Sequence, residues 1–312
     1  MTTPDSPEWD IPLHRPAMVE QVLEYLQPPA GGRALDVTTG TGGHSIALAR
    51  RLGHRGLLVG MDRDMNALKV ARKRLEEIDC PFRLFKGTFS RADEAAERVD
   101  VDGFDAVLAD LGIGTHQMDD PERGFSYRST ARLDMRYDRS QRMTAWEVVN
   151  REPEDSLADI FWKLGEERLS RQIARAIVRR RDREPIDTPA ELADLIEDVA
   201  ARGGGEWHMH PATRVMMALR IYVNGEMEEL EQFLGLLPNL LVPGGRAVLL
   251  TYHSLEARRV KKAWQAQQEE GRLTVLTDSP VTPDAEEIND NPRVRSCQLR
   301  AAARPRRRGG AE

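Results

Sequence analysis

The stretch Ala34–His44 reads ALDVTTGTGGH, and a second stretch, Leu57–Asp64, reads LLVGMDRD. In the first stretch an apolar run leads into three closely spaced glycines, which predicts a strand that ends in a tight turn opening a helix. Glycine permits positive φ there and lets backbone N–H groups approach a bound nucleotide. The second predicted strand ends at Asp62, where a carboxylate is placed to accept from both hydroxyls of a ribose. Together the two stretches predict a nucleoside-cofactor site.

Two further residues indicate which nucleoside binds there. Ser45 occupies the position at which a dinucleotide site has its third glycine. Asp36, just before the glycine turn, would be badly placed beside a pyrophosphate but well placed near the ammonium of a methionine moiety. Both residues favour S-adenosylmethionine over NAD. Two alternatives stay open, namely a dehydrogenase that uses a dinucleotide and a tight turn that binds no ligand.

Strands and helices alternate along the first third of the sequence. Phe82–Lys86 and Phe104–Leu111 have the apolar content of two further strands, and Asp64 is placed to cap the helix after the second strand. Such alternation is typical of an α/β fold with a doubly wound parallel sheet.

Ligands of open α/β sheets bind outside the carboxyl ends of the strands. The residues that we expect to converge on one crevice at this edge are Gly42, Asp62, Phe89, Asp110 and His253. Phe89 is placed to pack on an adenine face, although a lone phenylalanine is more often part of a core.

The sequence after the fourth predicted strand indicates an insertion. The next strand, Arg246–Tyr252, begins far beyond the roughly 30 residues that a parallel crossover needs. The intervening sequence predicts helices over Glu154–Leu164 and Glu166–Arg183 and a third helix that begins at a capping box of Thr188 and Glu191. A helical domain is therefore inserted into the sheet domain.

This insertion divides the chain into a discontinuous sheet domain, residues 1–115 and 214–312, and a helical substrate-recognition domain, residues 116–213. The remaining predicted elements are a helix over His14–Leu26, a crossover helix over Glu226–Leu241, a helix over Leu255–Gln268, a loop over Thr274–Asn291 and a final edge strand over Val294–Ala302.

Composition excludes several classes of protein. The 312 residues contain no apolar run of membrane-spanning length, and the acidic start MTTPDSPEWD is unlike a secretory signal, so we expect a cytoplasmic protein that does not bind membranes. The two cysteines, Cys80 and Cys297, have no metal-binding spacing, so we expect no metal site. The formal net charge of -6 argues against a whole-surface nucleic-acid binder but not against a local one.

The arginines are distributed unevenly. The segments Arg123–Arg142 and Arg293–Arg308 contain six and seven arginines. On the predicted helix over Glu166–Arg183, a stripe of arginines falls on one face, and such a stripe can track a phosphate backbone. The members of this stripe are Arg168, Arg171, Arg175 and Arg179. A solvated face balanced by neighbouring acids is the alternative, but the three clusters together favour RNA as a partner.

Several motifs occur in a fixed order, namely HxP at His14–Pro16, TGTGGHS, MDRD, ADLG with Gln117, RGFSY, LDMR, GEER, HPATR, ALRIYVN and HSLE. They resemble the motifs of the RsmH (MraW) family, bacterial small-subunit ribosomal RNA methyltransferases that act on the exocyclic N(4) of a cytidine in the decoding region. The resemblance covers roughly Leu13–Lys262 and recurs weakly at Val294–Leu299.

The resemblance implies a class I, Rossmann-like methyltransferase fold that uses S-adenosylmethionine, with a helical insertion that helps to hold RNA, and small-subunit ribosomal RNA within a ribosomal particle as the partner. It implies cofactor contacts at Gly42, Gly43, His44, Asp62, Phe89, Asp110 and Gln117.

The sequence departs from the family pattern mainly on the substrate side. After the fourth strand, DLGIGTHQMD replaces the usual DLGVSSPQLD, which places Gly114, Thr115 and His116 in the substrate-side loop. TYHSLEAR replaces SFHSLEDR, with Ala257 in place of an acid. A catalytically silent RNA-binding or ribosome-assembly protein on the same fold therefore stays an alternative.

The acceptor amine must lose a proton, so acceptors beside it are the expected catalytic groups. The Asp-Pro-Pro-aromatic loop of many amino methyltransferases is absent, and Asp110 stands where its acid would be. Asn224 and His253 are the further candidates. Each has a structural reading as well, Asn224 as a helix cap and His253 as a hydrogen-bonding group at the end of a strand.

Overall fold

A computed structural model describes residues 16–202 and 209–306. His14 and the start of the first predicted helix lie outside the described residues, as do Arg307 and Arg308 of the C-terminal arginine segment. The helices are α1 Val19–Leu26, α2 Gly43–Leu52, α3 Met65–Leu75, α4 Ala92–Arg98, α5 Thr115–Met118, α6 Ala145–Arg151, α7 Glu154–Gly165, α8 Ser170–Arg181, α9 Pro189–Arg202, α10 Thr213–Asn224, α11 Glu226–Leu240, α12 Ser254–Glu269 and α13 Ala285–Asp290.

In the described part of the chain, seven strands form one sheet in the order β3-β2-β1-β4-β5-β7-β6. The first five strands are parallel, and β7 runs antiparallel to both β5 and β6. The predicted α/β fold with a doubly wound sheet is therefore confirmed. The strands are β1 Arg33–Asp36, β2 Leu57–Asp62, β3 Phe82–Lys86, β4 Phe104–Asp110, β5 Leu241–Thr251, β6 Thr274–Val275 and β7 Gln298–Ala303.

Helices cover both faces of this sheet because its strands carry apolar residues on both sides. In β4, Val107 and Ala109 join the core cluster that includes Phe233 of α11, whereas Ala106 and Leu108 join the cluster on the opposite face. This alternation is the period of two that a strand imposes on its side chains.

The chain forms two compact units. We call Met1–Gly112 with Met227–Glu312 the sheet unit, and Ile113–Glu226 the helical unit. The helical unit has its own apolar core, drawn from α6 to α10 and the segment before α6. It begins three residues before and ends thirteen residues after the predicted insertion, residues 116–213, because α10 packs with α7 in this unit. No helix among the described residues is long and apolar enough to cross a membrane.

Local capping chemistry places several of these helices. Asp64 accepts from Asn66 N at 2.9 Å at the start of α3. The predicted capping box before α9 is present, since Thr188 N donates to Glu191 and Glu191 N donates to Thr188 Oγ1, both at 3.2 Å. Each interaction satisfies first-turn N–H groups that the helix cannot pair internally.

The prediction of one helix over Glu166–Arg183 was wrong at its start. α7 ends at Gly165, Glu166 adopts a left-handed φ of 51°, and α8 begins only at Ser170. The side chain of Glu167 accepts from Leu169 N at 2.8 Å, which stabilises the non-helical connection. Arg168 therefore precedes α8 and does not belong to its face.

The C-terminal segment also differs from the prediction. The predicted loop over Thr274–Asn291 contains the short strand β6 and α13, which Asp284 caps by accepting from Glu287 N at 2.8 Å. The predicted edge strand over Val294–Ala302 begins only at Gln298, after a 3₁₀ turn, and β6 rather than β7 forms the edge. β5 begins earlier than predicted, at Leu241, directly after α11.

Candidate functional site

The glycine turn joins β1 to α2 at the carboxyl edge of the sheet. Gly42 has a φ of 91°, and a Cβ there would lie 3.2 Å from the Cα of Ala71 in α3, so the turn requires glycine. The N–H of Gly42 donates to Thr39 O at 2.8 Å. α2 begins at Gly43, and the N–H groups of its first turn have no intrahelical acceptor.

Asp62, the last residue of β2, is bonded to this turn. Its Oδ2 accepts from Gly40 N at 2.7 Å, and its Oδ1 accepts from Asp64 N at 2.8 Å. The carboxylate is thus oriented by backbone groups on both sides. Its contact with ribose hydroxyls stays a prediction.

Asp36, at the end of β1, is buried and internally bonded. Its Oδ2 accepts from the Ser45 hydroxyl at 2.6 Å, and its Oδ1 accepts from Thr38 N at 3.1 Å. Burial raises the pKa of Asp36 above its ordinary value, and the hydrogen bond from Ser45 opposes this rise. The bond from Ser45 fastens α2 to the end of β1, and the expected contact of Asp36 with a methionine ammonium stays a prediction.

Asp110, the last residue of β4, lies beside this turn. Its N–H donates to Thr38 Oγ1 at 2.6 Å. Its side chain is 25% exposed, and its Oδ2 lies 3.5 Å from His44 Nε2. The His44 ring is buried, and neither of its nitrogens has a hydrogen-bond partner among the described residues. The structure therefore brings Asp110 and His44 together next to the glycine turn.

Tyr252 approaches Asp110 from the neighbouring strand. Its hydroxyl donates to Asp110 Oδ1 at 2.8 Å. Burial, followed by the charge of Asp110, raises the pKa of Tyr252 well above its ordinary value. The phenol therefore stays protonated and acts as a donor.

His253 follows Tyr252 and precedes the first turn of α12. Its ring is largely buried, and Nε2 lies 3.1 Å from Oε1 of the buried Glu256. The other oxygen of Glu256 accepts from Tyr252 N at 2.8 Å. His253 thus lies at the predicted edge of the sheet, where a buried carboxylate fixes the start of α12.

Phe89 begins a short 3₁₀ turn after β3. Its ring packs edge-to-face on Phe233 of α11, with centroids 5.8 Å apart. This contact joins Phe89 to the core on one face of the sheet. Packing of Phe89 on an adenine stays a prediction.

Two of the predicted site residues belong to the helical unit. Gln117 is buried, and its Oε1 accepts from Gly114 N at 3.3 Å. Asn224 ends α10, and its Oδ1 accepts from Tyr137 N at 2.8 Å. Its Nδ2 donates to Met135 O and Arg220 O, both at 2.8 Å. These contacts give Asn224 a structural task, and its catalytic assignment stays a prediction.

The arginine-rich segment Arg123–Arg142 is partly used inside the helical unit. Arg123 is buried and donates to Tyr137 O at 3.1 Å. Arg136 pairs with Asp134 through two short hydrogen bonds. Although burial acts to raise it, these bonds hold the pKa of Asp134 below its ordinary value. Both arginines are therefore structural.

The stripe on α8 is exposed, as predicted, at Arg171, Arg175 and Arg179. One of the three has a nearby acid, since Arg175 Nε lies 3.4 Å from Glu154 Oε1. Both partners of this pair are largely solvent-exposed, so the attraction is weak.

Thr38 and Tyr252 hold Asp110 from two sides and are not among the site residues predicted from the sequence. Tyr252 carried a usable signal, because it ends the fifth predicted strand and so lies at the edge where ligands bind. Thr38 carried none beyond its position between Asp36 and the glycines.

The side chains at this edge fit S-adenosylmethionine. The glycine turn leaves space where a Cβ would intrude, the start of α2 supplies N–H groups suited to a carboxylate, and Asp62 supplies an acceptor suited to a ribose. The buried ring of His44, whose nitrogens make no hydrogen bond among the described residues, is a further sign of a site built for a ligand.

An open α/β sheet with this strand order, a glycine turn after β1 and an acid ending β2 define a class I methyltransferase. A family model described as the MraW methylase family matches residues 12–305. The chain belongs to the MraW methylase family. It is a methyltransferase, and its methyl donor is S-adenosylmethionine.

Curated relatives match over most of their length and are each named ribosomal RNA small subunit methyltransferase H. The relative from Koribacter versatilis is 44% identical over 300 residues, covering 93% of this chain and 94% of that protein. The relative from Cyanothece sp. is 44% identical over 292 residues, covering 94% and 95%. The relative from Gloeobacter violaceus is 45% identical over 293 residues, covering 94% and 88%.

Proposed function

We propose that this protein transfers the methyl group of S-adenosylmethionine to the exocyclic N(4) of a cytidine in the decoding region of 16S ribosomal RNA. The substrate is the RNA within a small-subunit particle in the cytoplasm. The single observation that carries the proposal is the partly exposed carboxylate of Asp110 beside the glycine turn, next to the buried ring of His44. The names of the relatives support the class of substrate.

Bound S-adenosylmethionine supplies an electrophilic methyl group on a sulfonium. In the proposal the first turn of α2, at Gly43 and His44, binds the carboxylate of its methionine moiety, and Asp62 binds the ribose. Phe89 borders the adenine, and the contact of Gln117 with the cofactor stays an expectation from the family resemblance. These residues hold the donor, and alignment is the main contribution that the enzyme makes to an in-line displacement.

Asp110 acts on the acceptor. The lone pair of a cytosine amino group is delocalised into the ring, so a group that accepts its N–H bonds must help as the nitrogen pyramidalises. An ionised carboxylate can do so because it accepts hydrogen bonds and donates none. In the proposal Asp110 accepts from this amine, His253 orients the base, and Asn224 is the third candidate contact.

The arginines of α8 support RNA as the substrate. Arg171, Arg175 and Arg179 recur every four residues on one exposed face, which is the spacing that places guanidinium groups in a row. Cationic rows of this kind bind the phosphate backbone without reading its sequence. The stripe would therefore hold the RNA, while the sheet unit performs the chemistry.

The test is single-turnover transfer of labelled methyl from saturating S-adenosylmethionine to small-subunit particles that lack the modification. Asp110→Asn is nearly isosteric but supplies donors where an acceptor is needed. We expect its rate to fall about a hundredfold or more, whereas His253→Ala loses about tenfold because it removes only a positioning contact. Mass-spectrometric mapping of the product identifies the methylated cytidine.

A wild-type rate in Asp110→Asn would refute the role of that carboxylate. Methylation at a ring atom or at another base would refute the proposed N(4) target while leaving the methyltransferase activity in place. If the unmutated protein binds the particle and transfers no methyl, the silent RNA-binding alternative is the better account.

A further inference from the structure

Tyr252 is a polar aromatic residue at the carboxyl end of β5 that the proposed chemistry does not use. It stands where the family pattern SFHSLEDR has phenylalanine, so its hydroxyl is a departure of this chain from that pattern. We propose that Tyr252 is a positioning residue that orients the Asp110 carboxylate, so that loss of its hydroxyl lowers the rate of methyl transfer and leaves RNA binding unchanged. The inference rests on the proposed function, in which Asp110 accepts from the target amine.

The sheet itself brings the two residues together. β4 and β5 are parallel neighbours in which Asp110 pairs with Leu250. Tyr252 lies two residues beyond Leu250, on the same face, because side chains alternate along a strand. Its hydroxyl donates to Asp110 Oδ1 at 2.8 Å, a short hydrogen bond to a charged acceptor.

The Tyr252 ring is held in place by packing. Gly112, which follows β4, has a φ of 100°, and a Cβ on it would lie 3.4 Å from Tyr252 Cδ2. The ring therefore lies against the backbone that leaves β4. It also packs on the core cluster that contains Leu250 and Cys297. A donor on a fixed ring gives its acceptor a fixed orientation.

The hydroxyl is a donor at any pH at which the enzyme would be assayed. Burial and the charge of Asp110 raise the pKa of Tyr252 well above its ordinary value. The neighbouring Cys297 is buried as well, and burial raises the pKa of its thiol. The Tyr252 hydroxyl and the Cys297 thiol therefore both stay protonated, and neither adds a negative charge beside Asp110.

The two oxygens of Asp110 consequently differ. Tyr252 binds Oδ1, whereas Oδ2 lies 3.5 Å from His44 Nε2, beyond a short hydrogen bond. Oδ2 is thus the oxygen that would accept from a substrate amine. Without the phenol hydroxyl, the carboxylate can rotate about its χ2 torsion and the acceptor loses its alignment with the amine.

The experiment compares Tyr252→Phe with Tyr25→Phe. The first variant keeps the ring and removes the donor. The second makes the same chemical change on α1, at a partly exposed tyrosine whose hydroxyl has no hydrogen-bond partner among the described residues. In methyl transfer to unmodified particles, we expect kcat of Tyr252→Phe to fall about tenfold with KM for the particle unchanged. Tyr25→Phe should match the wild type.

A second measurement does not depend on methylation. Urea unfolding of Tyr252→Phe, Asp110→Ala and the double variant gives a double-mutant cycle, and we expect a coupling free energy between the two sites. A coupling of zero would overturn the inference even if the protein is active. A wild-type kcat in Tyr252→Phe would also overturn the inference, and so would a rise in KM for the particle that is not accompanied by a fall in kcat. If the unmutated protein transfers no methyl, the proposed function fails, and the cycle still decides whether Tyr252 orients Asp110.

Discussion

Asp62 shows how one carboxylate at the end of a strand can serve both the fold and a ligand. It accepts from Gly40 N and Asp64 N, so the glycine turn and the start of α3 both depend on it. A loss of ligand affinity on mutation would therefore be ambiguous without a control that weakens the sheet unit to a similar degree. Asp105 offers that control, because it accepts from Arg33 N at 2.8 Å at the opposite, amino-terminal end of β4.

We expect Asp62→Ala to weaken binding of S-adenosylmethionine by about 1 to 3 kcal/mol, because ribose hydroxyls are left without a partner. Asp105→Ala should lower the stability of the protein and leave this affinity unchanged. Isothermal titration calorimetry measures both affinities, and the unmutated protein should not bind NAD. Equal affinities for NAD and S-adenosylmethionine, or an unaltered affinity in Asp62→Ala, would show that the ribose assignment is wrong.

The buried side chain of Asn224 makes hydrogen bonds around an unusual piece of backbone. Met135, whose carbonyl accepts from Asn224, has a left-handed φ of 62°. A methionine is costly in that region, and the paired bonds to Met135 O and Tyr137 N hold the segment there. The hydrogen bonds of Asn224 thus give it a structural role, which is to hold the left-handed backbone at Met135.

We expect Asn224→Ala to lower the free energy of unfolding by about 2 to 4 kcal/mol, since several buried groups lose a partner at once. Urea unfolding measures the loss, and single-turnover transfer at a temperature where the variant is fully folded measures any effect on chemistry. A loss below about 0.5 kcal/mol, the usual size for surface sites, would contradict the structural assignment. A fall in rate at full folding would support the catalytic one.

The residues that decide the site differ in how far a sequence can predict them. The places of Gly42 in the turn and of Asp62 at the end of β2 were predictable, because a tight turn and a strand end each leave a pattern in the sequence. Their contacts with the cofactor stay predictions. The structural tasks of Asp36 and Asn224 were not predictable. Asp36 binds Ser45 through a contact that no sequence pattern marks. Asn224 binds the backbone at Met135, which is distant in the sequence. Hydrogen bonds between distant residues leave no periodic signal.

At the scale of elements, patterning predicted the strands that are buried on both sides and the helices that have a clear cap. β2 and β3 have the predicted bounds, and α7 begins at the predicted Glu154 and ends one residue after the predicted Leu164. The errors arose at Glu166–Leu169 and at residues 274–303. In the first, a side chain satisfies the backbone locally and so competes with helix formation. In the second, the pairing of β7 with β5 and β6 depends on partners far along the chain.

The arginine stripe of α8 gives a prediction about an element. Replacement of Arg171, Arg175 and Arg179 by glutamine should flatten the dependence of log K on log salt for RNA binding, by about 0.7 to 0.9 for each phosphate group that the variant no longer neutralises. Affinity for S-adenosylmethionine should not change. Filter binding of a small-subunit RNA fragment over a range of salt concentrations measures the slope.

The control removes the same charge elsewhere. Arg50, Arg51 and Arg55 are exposed near the end of α2, at the amino-terminal edge of the sheet. Their replacement by glutamine changes the net charge equally and should leave the salt slope nearly as it was. Equal slopes for both triple variants and the wild type would mean that the stripe on α8 is only a solvated face.

At the scale of the whole molecule, the core of the helical unit shares no residue with the two core clusters on the two faces of the sheet. The helical unit buries Val149, Phe161, Ile173, Leu192 and Leu219, one from each of α6 to α10. Its main polar anchors, the pair of Asp134 with Arg136 and the bonds of Asn224, also lie within the unit. A unit with its own core and internally satisfied polar groups has what a domain needs in order to fold alone.

We therefore expect the isolated segment Ile113–Glu226 to fold. It should show the circular dichroism of a helical protein and a cooperative urea transition, with a free energy of unfolding in the lower part of the range of about 5 to 15 kcal/mol that is usual for natural domains. Because α8 lies within the segment, it should bind RNA with a salt slope that falls in the triple variant of Arg171, Arg175 and Arg179. It should not bind S-adenosylmethionine, because the glycine turn and Asp62 are absent. A broad, non-cooperative transition would show that the helical core depends on the rest of the chain, whereas cofactor binding by the segment alone would contradict the assignment of the site to the sheet unit.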